Sequence, residues 1–403
     1  MFLGAAMAQV SLCMIVRDEA ELLPRCLASV KDQVDELIVL DTGSRDRTPA
    51  IATEAGAKLL HTDWADDFSA ARNQAIAAAT GDWILVLDAD EELILEAWTE
   101  LRSQLDQPEA LAFTVLREET QAGQVPYSRL SRLFRNRPDI RFQRPYHELV
   151  DDSLLALQQQ EPNWRITAWP TPVIRHYGYG RDRLQQRGTA ERMRQSLETW
   201  LADHPEDAYL CSKLGGLLVQ EGDLKAAQRW LKQGLKQGRP EPAVRYELLY
   251  HLALLERRQG DLDAAIDRYQ AALQEPVDAI HKLGAWVNLS HLYRDRGQLG
   301  LAYDAARQAV AAAPQATVAL TALGLAARAI GNYPEAIAAY QQALQLDPND
   351  PSLYQNLGAV LFQVGQLEAS YAAFRQAIAG YEQQGSPEAQ RLELRLQAMG
   401  IRL

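Results

Sequence analysis

The stretch "WILVLDADEEL", residues 83–93, puts four acids, Asp88, Asp90, Glu91 and Glu92, within five positions directly after an apolar run. Trp83 to Leu87 reads as a buried strand, so the acids stand at its carboxyl end. Like charges this close repel one another unless something positive sits among them. A divalent cation answers that need. Mg²⁺ or Mn²⁺ is held by one or two protein carboxylates, with substrate phosphates and waters completing the octahedron. The bland alternative is solvated carboxylates capping the next helix, yet a cap needs one acid, not four.

The elements that must position these acids alternate between strand-like and helix-like up to about residue 180. "VSLCMIV", "DELIVL", "AKLLHTDW" and "DWILVL" read as strands. "DEAELLPRCLASV", a short helix with Thr48 as cap, Pro49 in its first turn and Gly56 at its end, and "FSAARNQAIAAAT" capped by Asp67 read as the helices between them. Continuous apolar strands with helical crossovers predict a parallel sheet buried on both faces, whose ligand lies outside the carboxyl ends of the strands. At those ends stand Arg17-Asp18-Glu19, Asp41, Trp64 with Asp66-Asp67, and Asp88-Ala89-Asp90. Arg72 shares a helix face with Phe68 and Ile76, the face expected to be buried. A buried guanidinium needs an anion: Asp41, a bound pyrophosphate, or a structural partner at the sheet rim.

Neither G-x-G-x-x-G after the first strand nor a P-loop is present, which disfavours a dinucleotide cradle and a P-loop nucleotidase. A nucleotidyltransferase would need a glycine-rich, lysine-containing loop where "RDEAELLPR" stands. Arginines at 129, 132, 135, 137, 141 and 144 form a run of which half are expected to be solvated, the others free to pair with phosphates or an acidic acceptor. The net charge of -12 and pI near 5.2 exclude a nucleic-acid binder. Three cysteines without Cys-x-x-Cys spacing exclude a disulfide framework. The apolar "MFLGAAMAQV" has no basic leader and is too short to span a bilayer; the expectation is a start at Met7, no transmembrane segment and a cytoplasmic protein.

From about residue 206 a repeat takes over. "LGGLLVQEGDLKAA", "LALLERRQGDLDAA", "LSHLYRDRGQLGLA", "LGLAARAIGNYPEA" and "LGAVLFQVGQLEAS" close at residues 227, 265, 302, 336 and 370, spacings of 38, 37, 34 and 34. Each is a helix, a glycine-containing turn and a second helix, and the pattern resembles the tetratricopeptide repeat. Such repeats stack around a concave face suited to peptides or partner proteins.

The N-terminal motifs also carry a resemblance. "VSLCMIVRDEAELLPRCLASV", "ELIVLDTGSRDRT", "DDFSAARNQAI" and "GDWILVLDADEEL" are similar, in order and spacing, to the motifs of family 2 glycosyltransferases of the GT-A fold. The fold class so implied is an α/β GT-A-type nucleotide-sugar-binding domain followed by an all-α repeat solenoid. The expected domains are residues 1–180 for the transferase, 181–205 for a connecting helix, 206–380 for five repeats and 381–403 for a capping helix.

The resemblance implies inverting transfer from a nucleotide-diphosphate sugar, a UDP-sugar by preference, to a peptide, protein or glycan acceptor recruited by the repeats. It implies a metal site of Asp90, Asp88 and His176 of "PVIRHYGYG": Asp90 as direct ligand, Asp88 at the metal or its bound water or facing the ribose, and His176 as a further ligand or a structural histidine. Asp41 would meet the nucleobase, unless it only forms the turn before Gly43, and Val16, Arg17, Glu19 and Ala89 would wrap the nucleotide. Tyr177, Gly178 and Tyr179 would shape a loop over the donor. Glu148 of "RPYHELV", in apolar surroundings at the acceptor surface, is first choice for the base and His147 second; otherwise both brace the acceptor loop. The alternative is a repeat scaffold whose transferase domain is inactive.

Overall fold

Each of the four apolar runs forms a strand in the computed structural model, which describes residues 8–120, 126–178, 189–236 and 240–401. They are β1 (Val10–Val16), β2 (Glu36–Asp41), β3 (Lys58–His61) and β4 (Trp83–Val86). All pair in parallel, in the order β3-β2-β1-β4. Their runs are continuous because both faces are covered. Leu12 and Met14 of β1 join a core with Cys26 and Leu27 of α1 (Leu23–Val30), while Cys13 joins another with Ala71, Ala75 and Ile76 of α3 (Phe68–Ile76).

Local chemistry departs from expectation at two helix starts. Helix α1 begins only at Leu23, with Pro24 in its first turn, and Asp18 enters the preceding loop with φ +55°. Thr48 lies inside α2 (Thr48–Glu54) rather than capping it. Asp46 accepts from the Thr48 amide at 2.9 Å, and the Thr48 hydroxyl is drawn off to accept from the Glu19 amide at 2.7 Å. Asp67 caps α3 as expected, accepting from the Ala70 amide.

Beyond β4 the sheet becomes mixed. β5 (Glu91–Leu93), α4 (Leu95–Arg102), the hairpin β6 (Ala110–Glu119) and β7 (Tyr127–Arg135), α5 (Asp151–Gln160) and β8 (Arg165–His176) follow. The full order is β3-β2-β1-β4-β7-β6-β8-β5, with β7 antiparallel to β4 and β8 parallel to β6 but antiparallel to β5. This topology sets His176 between Glu119 of β6 and Glu91 of β5. α6 (Thr189–Asp203) and α7 (Ala208–Glu221) cluster with this first unit, and the division in sequence falls between Glu221 and Gly222.

The second unit is helical: α8 (Leu224–Lys236), α9 (Pro242–Gln259), α10 (Leu262–Leu273), α11 (Leu283–Asp295), α12 (Leu299–Ala312), α13 (Thr317–Ala329), α14 (Tyr333–Leu346), α15 (Pro351–Gln363), α16 (Leu367–Gln383) and α17 (Glu388–Ala398). Gly260, Gly297, Gly331 and Gly365 turn the chain within successive pairs at φ between +73° and +84°. The residue after each donates to a carbonyl five residues back, as in Asp261 to Glu256 and Asn332 to Ala327, closing the helix in a Schellman motif. Gly324 and Gly358 have a different reason. A Cβ on Gly324 would stand 2.6 Å from the buried Tyr340 ring, and one on Gly358 would stand 2.9 Å from Phe374.

Candidate active site

A cleft of about 720 Å³ opens at the carboxyl ends of the parallel strands. Val16, Arg17, Glu19, Arg72, Asp88, Ala89, Asp90, His147, Glu148 and His176 all line it, with Thr42, Trp64, Phe68, Tyr146 and Arg192 among their neighbours. Asp41 does not. Its buried carboxylate faces the turn, accepting from the Ser44 amide at 3.2 Å and lying 3.4 Å from His61 Nδ1. The loop after β1 is tied to the loop after β2. The Asp18 amide donates to Ser44 Oγ at 2.9 Å, the Arg45 amide to Asp18 at 2.7 Å and the Ala20 amide to Asp46 at 3.1 Å.

The charge problem posed by residues 88–93 is met chiefly by the chain's own arginines. An alternating series of ion pairs crosses the floor of the cleft. Glu148 Oε1 accepts from Arg72 Nε at 2.5 Å, and Arg72 Nη2 donates to Asp88 Oδ1 at 2.8 Å. Asp88 Oδ2 accepts from Arg132 Nη2 at 2.9 Å, and Arg132 lies 3.9 Å from Glu91. Arg117 bridges Glu91 and Glu119, both at 2.8 Å. Glu119 Oε2 meets His176 Nδ1 at 2.6 Å, and His176 Nε2 meets Asp90 Oδ2 at 3.0 Å. At Arg72, Asp88, Arg117, Glu119 and His176 burial works against charge, and the pairing overrides it. The Arg72 and Arg132 guanidiniums hold the Asp88 carboxyl far below the usual range. Against the same burial, His176 and Arg117 bring Glu119 down to about 2, and hydrogen bonds to Asp90 and Glu119 push His176 up to about 9.

Four expectations change or narrow here. Asp88 is not disposed as a metal ligand, because both its oxygens are engaged by arginines. Of the partners left open for Arg72, the structural one at the sheet rim is the one present: it pairs with Asp88 and Glu148, not with Asp41. Glu148 lies in the cleft with an aromatic wall, yet one of its oxygens is held by a guanidinium, which was not expected. Nor are half of the six arginines solvated. None is fully exposed, and Arg129, Arg135 and Arg141 donate to backbone carbonyls while Arg137 and Arg144 pair with acids. Arg117 and Glu119 carried no signal in the sequence, since only the β6–β8 register brings them to His176.

Asp90 and His176 remain as the pair that fits a divalent cation. Nδ1 is taken by Glu119, so Nε2 is the nitrogen that faces Asp90. In the series the carboxylates of Glu148, Asp88, Glu91, Glu119 and Asp90 face the guanidiniums of Arg72, Arg132 and Arg117 and the His176 imidazolium, five against four. That is an excess of one negative charge, which becomes two when His176 gives up a proton to take a cation. Among the described residues no group of three or more His, Cys, Asp or Glu is arranged around a metal position. Mg²⁺ and Mn²⁺ accept two protein ligands when substrate oxygens and water supply the rest.

Near Glu148 the wall is aromatic. Trp64 and Phe68 meet edge to face at 4.6 Å, and Phe68 and Tyr146 at 4.9 Å. The following His147 has φ +53°, a left-handed conformation uncommon for a residue with a side chain. Its loop is pinned by the Arg144–Asp207 ion pair at 2.7 Å and by the Phe68 amide, which donates to the Pro145 carbonyl. Tyr177 donates from its hydroxyl to Glu92 at 2.6 Å and lies under Arg25, while Tyr179 lies outside the described residues.

A mixed-sheet α/β fold with an acidic turn at the strand ends, followed by helical repeats, defines the class. Comparison with known proteins gives the family. The family model described as Glycosyl transferase family 2 matches residues 11–167, and tetratricopeptide repeat models match 194–279, 283–315 and 324–365. The N-terminal domain is thus similar to the family 2 glycosyltransferases, and the helical half matches tetratricopeptide repeats. An uncharacterized glycosyltransferase of Rickettsia bellii is 31% identical over 156 residues, covering 36% of this chain and 52% of that protein. The SPbeta prophage-derived glycosyltransferase SunS of Bacillus subtilis is 42% identical over 78 residues, covering 19% of this chain and 18% of that protein. The chain spans about half the length, or less, of the curated relatives it matches. The solved structure of MamA from Desulfovibrio magneticus RS-1 is 23% identical, with a TM-score of 0.39, over 44% of this chain and 97% of that one. Among the described residues no helix is long and apolar enough to cross a membrane.

Proposed function

We propose that the chain is an inverting, metal-dependent glycosyltransferase that moves a sugar from a nucleotide-diphosphate donor, a UDP-sugar by preference, to a peptide, protein or glycan acceptor recruited by the repeats. The observation that carries this is the ion-pair series ending in Asp90 and His176 inside the cleft, where acids outnumber bases. Asp90 and His176 would hold Mg²⁺ or Mn²⁺, which supplies Lewis-acid stabilisation of the departing diphosphate.

The rest falls to the chain's own residues. Val16, Arg17, Glu19 and Ala89, which line the cleft, hold the nucleoside, with Asp41 at the base end behind Thr42. Asp88, fixed by two arginines, offers the donor a rigid ionised edge at the ribose. Arg72 anchors one oxygen of Glu148 and so aims the other, Oε2, at the acceptor. As the acceptor attacks the anomeric carbon from the face opposite the diphosphate, its proton passes to Glu148 Oε2 and the carbon–oxygen bond to the diphosphate breaks. His147 is the second choice for that proton. Backbone strain of about 1–3 kcal/mol at such a residue persists only where the surroundings over-determine it, as at working sites.

The test is a thermal-shift panel of UDP-, GDP- and dTDP-sugars, each with Mn²⁺ and with EDTA. A ligand that binds only the folded state raises the melting temperature by mass action, so no acceptor is needed. A metal-dependent shift with one nucleotide supports the reading and selects the base. No shift across the panel favours the alternative, an inactive domain on a repeat scaffold.

A further inference from the structure

Glu119 ends β6, and its carboxylate is engaged at both oxygens. Oε1 accepts from Arg117 Nε at 2.8 Å and from Ser128 Oγ, and Oε2 meets His176 Nδ1 at 2.6 Å. The backbone around that contact is fixed as well. The amide and hydroxyl of Thr120 both donate to the His176 carbonyl at 3.0 Å, and the Tyr177 amide donates to the Asp90 carbonyl at 3.0 Å. His176 and Asp90 are thus held by the strands flanking them, and one choice is left: which ring nitrogen of His176 keeps its proton when the imidazole becomes neutral.

We infer that Glu119 is a positioning residue for the metal site. By accepting the Nδ1 proton of His176 it selects the tautomer whose Nε2 lone pair faces Asp90, so that the two side chains receive a divalent cation as a preformed pair. This rests on the reading of Asp90 and His176 as ligands. The chemistry is general: a ligating histidine gives its other N–H to a carboxylate, which fixes the ring and raises its basicity. Arg117 and Ser128 hold Glu119 in turn, so the orientation of the ligand is set by a hairpin that does not line the cleft. A merely structural Glu119 would instead brace the seam between β6 and β8, and its loss would cost stability while sparing metal affinity.

The experiment is a Mn²⁺ titration of the full chain, with and without UDP, followed by the electron paramagnetic resonance of free Mn²⁺. Nitrogen-15 NMR of His176 in separate Mn²⁺-free samples, at a pH above 9 where the imidazole is neutral, reads the tautomer. Glu119→Gln is expected to weaken Mn²⁺ binding about 10–100-fold and to move the His176 ring away from the Nδ1–H form. Ser128→Ala, which leaves Glu119 in place but looser, is expected to do both to a smaller degree and serves if Glu119→Gln does not fold. Mn²⁺ affinity and tautomer both unchanged in the variants would overturn the inference. A wild-type chain that takes up no Mn²⁺ would overturn the metal reading instead, and the inference with it as regards the cation, while the NMR comparison would still show whether Glu119 sets the tautomer.

Discussion

Replacing Arg72 with Met separates a structural ion pair from a group reserved for substrate. The Arg72 side chain is 6% exposed and binds two carboxylates, Asp88 at 2.8 Å and Glu148 at 2.5 Å. Removing one member of a buried pair costs about 3–5 kcal/mol, because the partner's charge stays buried and unpaired. Asp88 keeps Arg132 and is 29% exposed, so most of the loss falls on Glu148, 11% exposed. The lower end, about 3 kcal/mol, is therefore expected. For a unit of this size that is a fall of about 6–12 °C in melting temperature. Differential scanning calorimetry is the suitable assay, since the two units need not unfold together.

Adding Glu148→Gln to Arg72→Met removes the stranded charge and should recover about 1–2 kcal/mol, within the usual range for coupled neighbours. The reasoning fails if Arg72→Met melts within about 2 °C of wild type, or if the second substitution lowers stability further. Stability unchanged with nucleotide binding lost would mean that Arg72 is held for the donor diphosphate instead.

Two further outcomes follow from the packing. Gly324→Ala forces a methyl group into the Tyr340 ring and should destabilise the repeat unit by about 1–3 kcal/mol, whereas Ala at Gly300, which has open space around it, should be tolerated; urea unfolding of both variants checks this. Cys13, Cys26 and Cys211 are buried and unpaired, and burial aided by nearby Glu36 and Asp207 pushes the thiols of Cys13 and Cys211 up to about 12. Ellman's reagent should therefore find no reactive thiol at neutral pH until the chain is denatured, and a thiol reacting in the native state would contradict the burial.

The parts of the site legible in the sequence are those set by local order. Strand, turn and helix succeed one another from Val10 to Leu87, and a parallel sheet gathers their carboxyl ends, so Val16, Arg17, Glu19, Arg72, Asp88 and Asp90 meet as the pattern requires. What pairs with what was not legible. Arg132, Arg117 and Glu119 reach the acidic turn through β6, β7 and β8, whose pairing runs through several register shifts, so alternation along the strands does not reveal which face each side chain takes. The arginine run misled for the same reason: solvation is the fate of such residues on a surface, and these lie on and around a strand packed into the sheet. Thr48 misled because its hydroxyl serves a loop distant in sequence instead of its own helix.

The central claim is a nucleotide-sugar site whose metal is held by Asp90 and His176. Calorimetric titration of UDP into wild type and Asp90→Ala, each with Mn²⁺ and with EDTA, tests it most directly. The account predicts that Mn²⁺ strengthens UDP binding at least about tenfold, roughly 1.4 kcal/mol, in the wild type. The gain should vanish in Asp90→Ala while its melting temperature stays close to wild type. UDP binding that is indifferent to Mn²⁺, or a metal effect that survives the loss of Asp90, would contradict it.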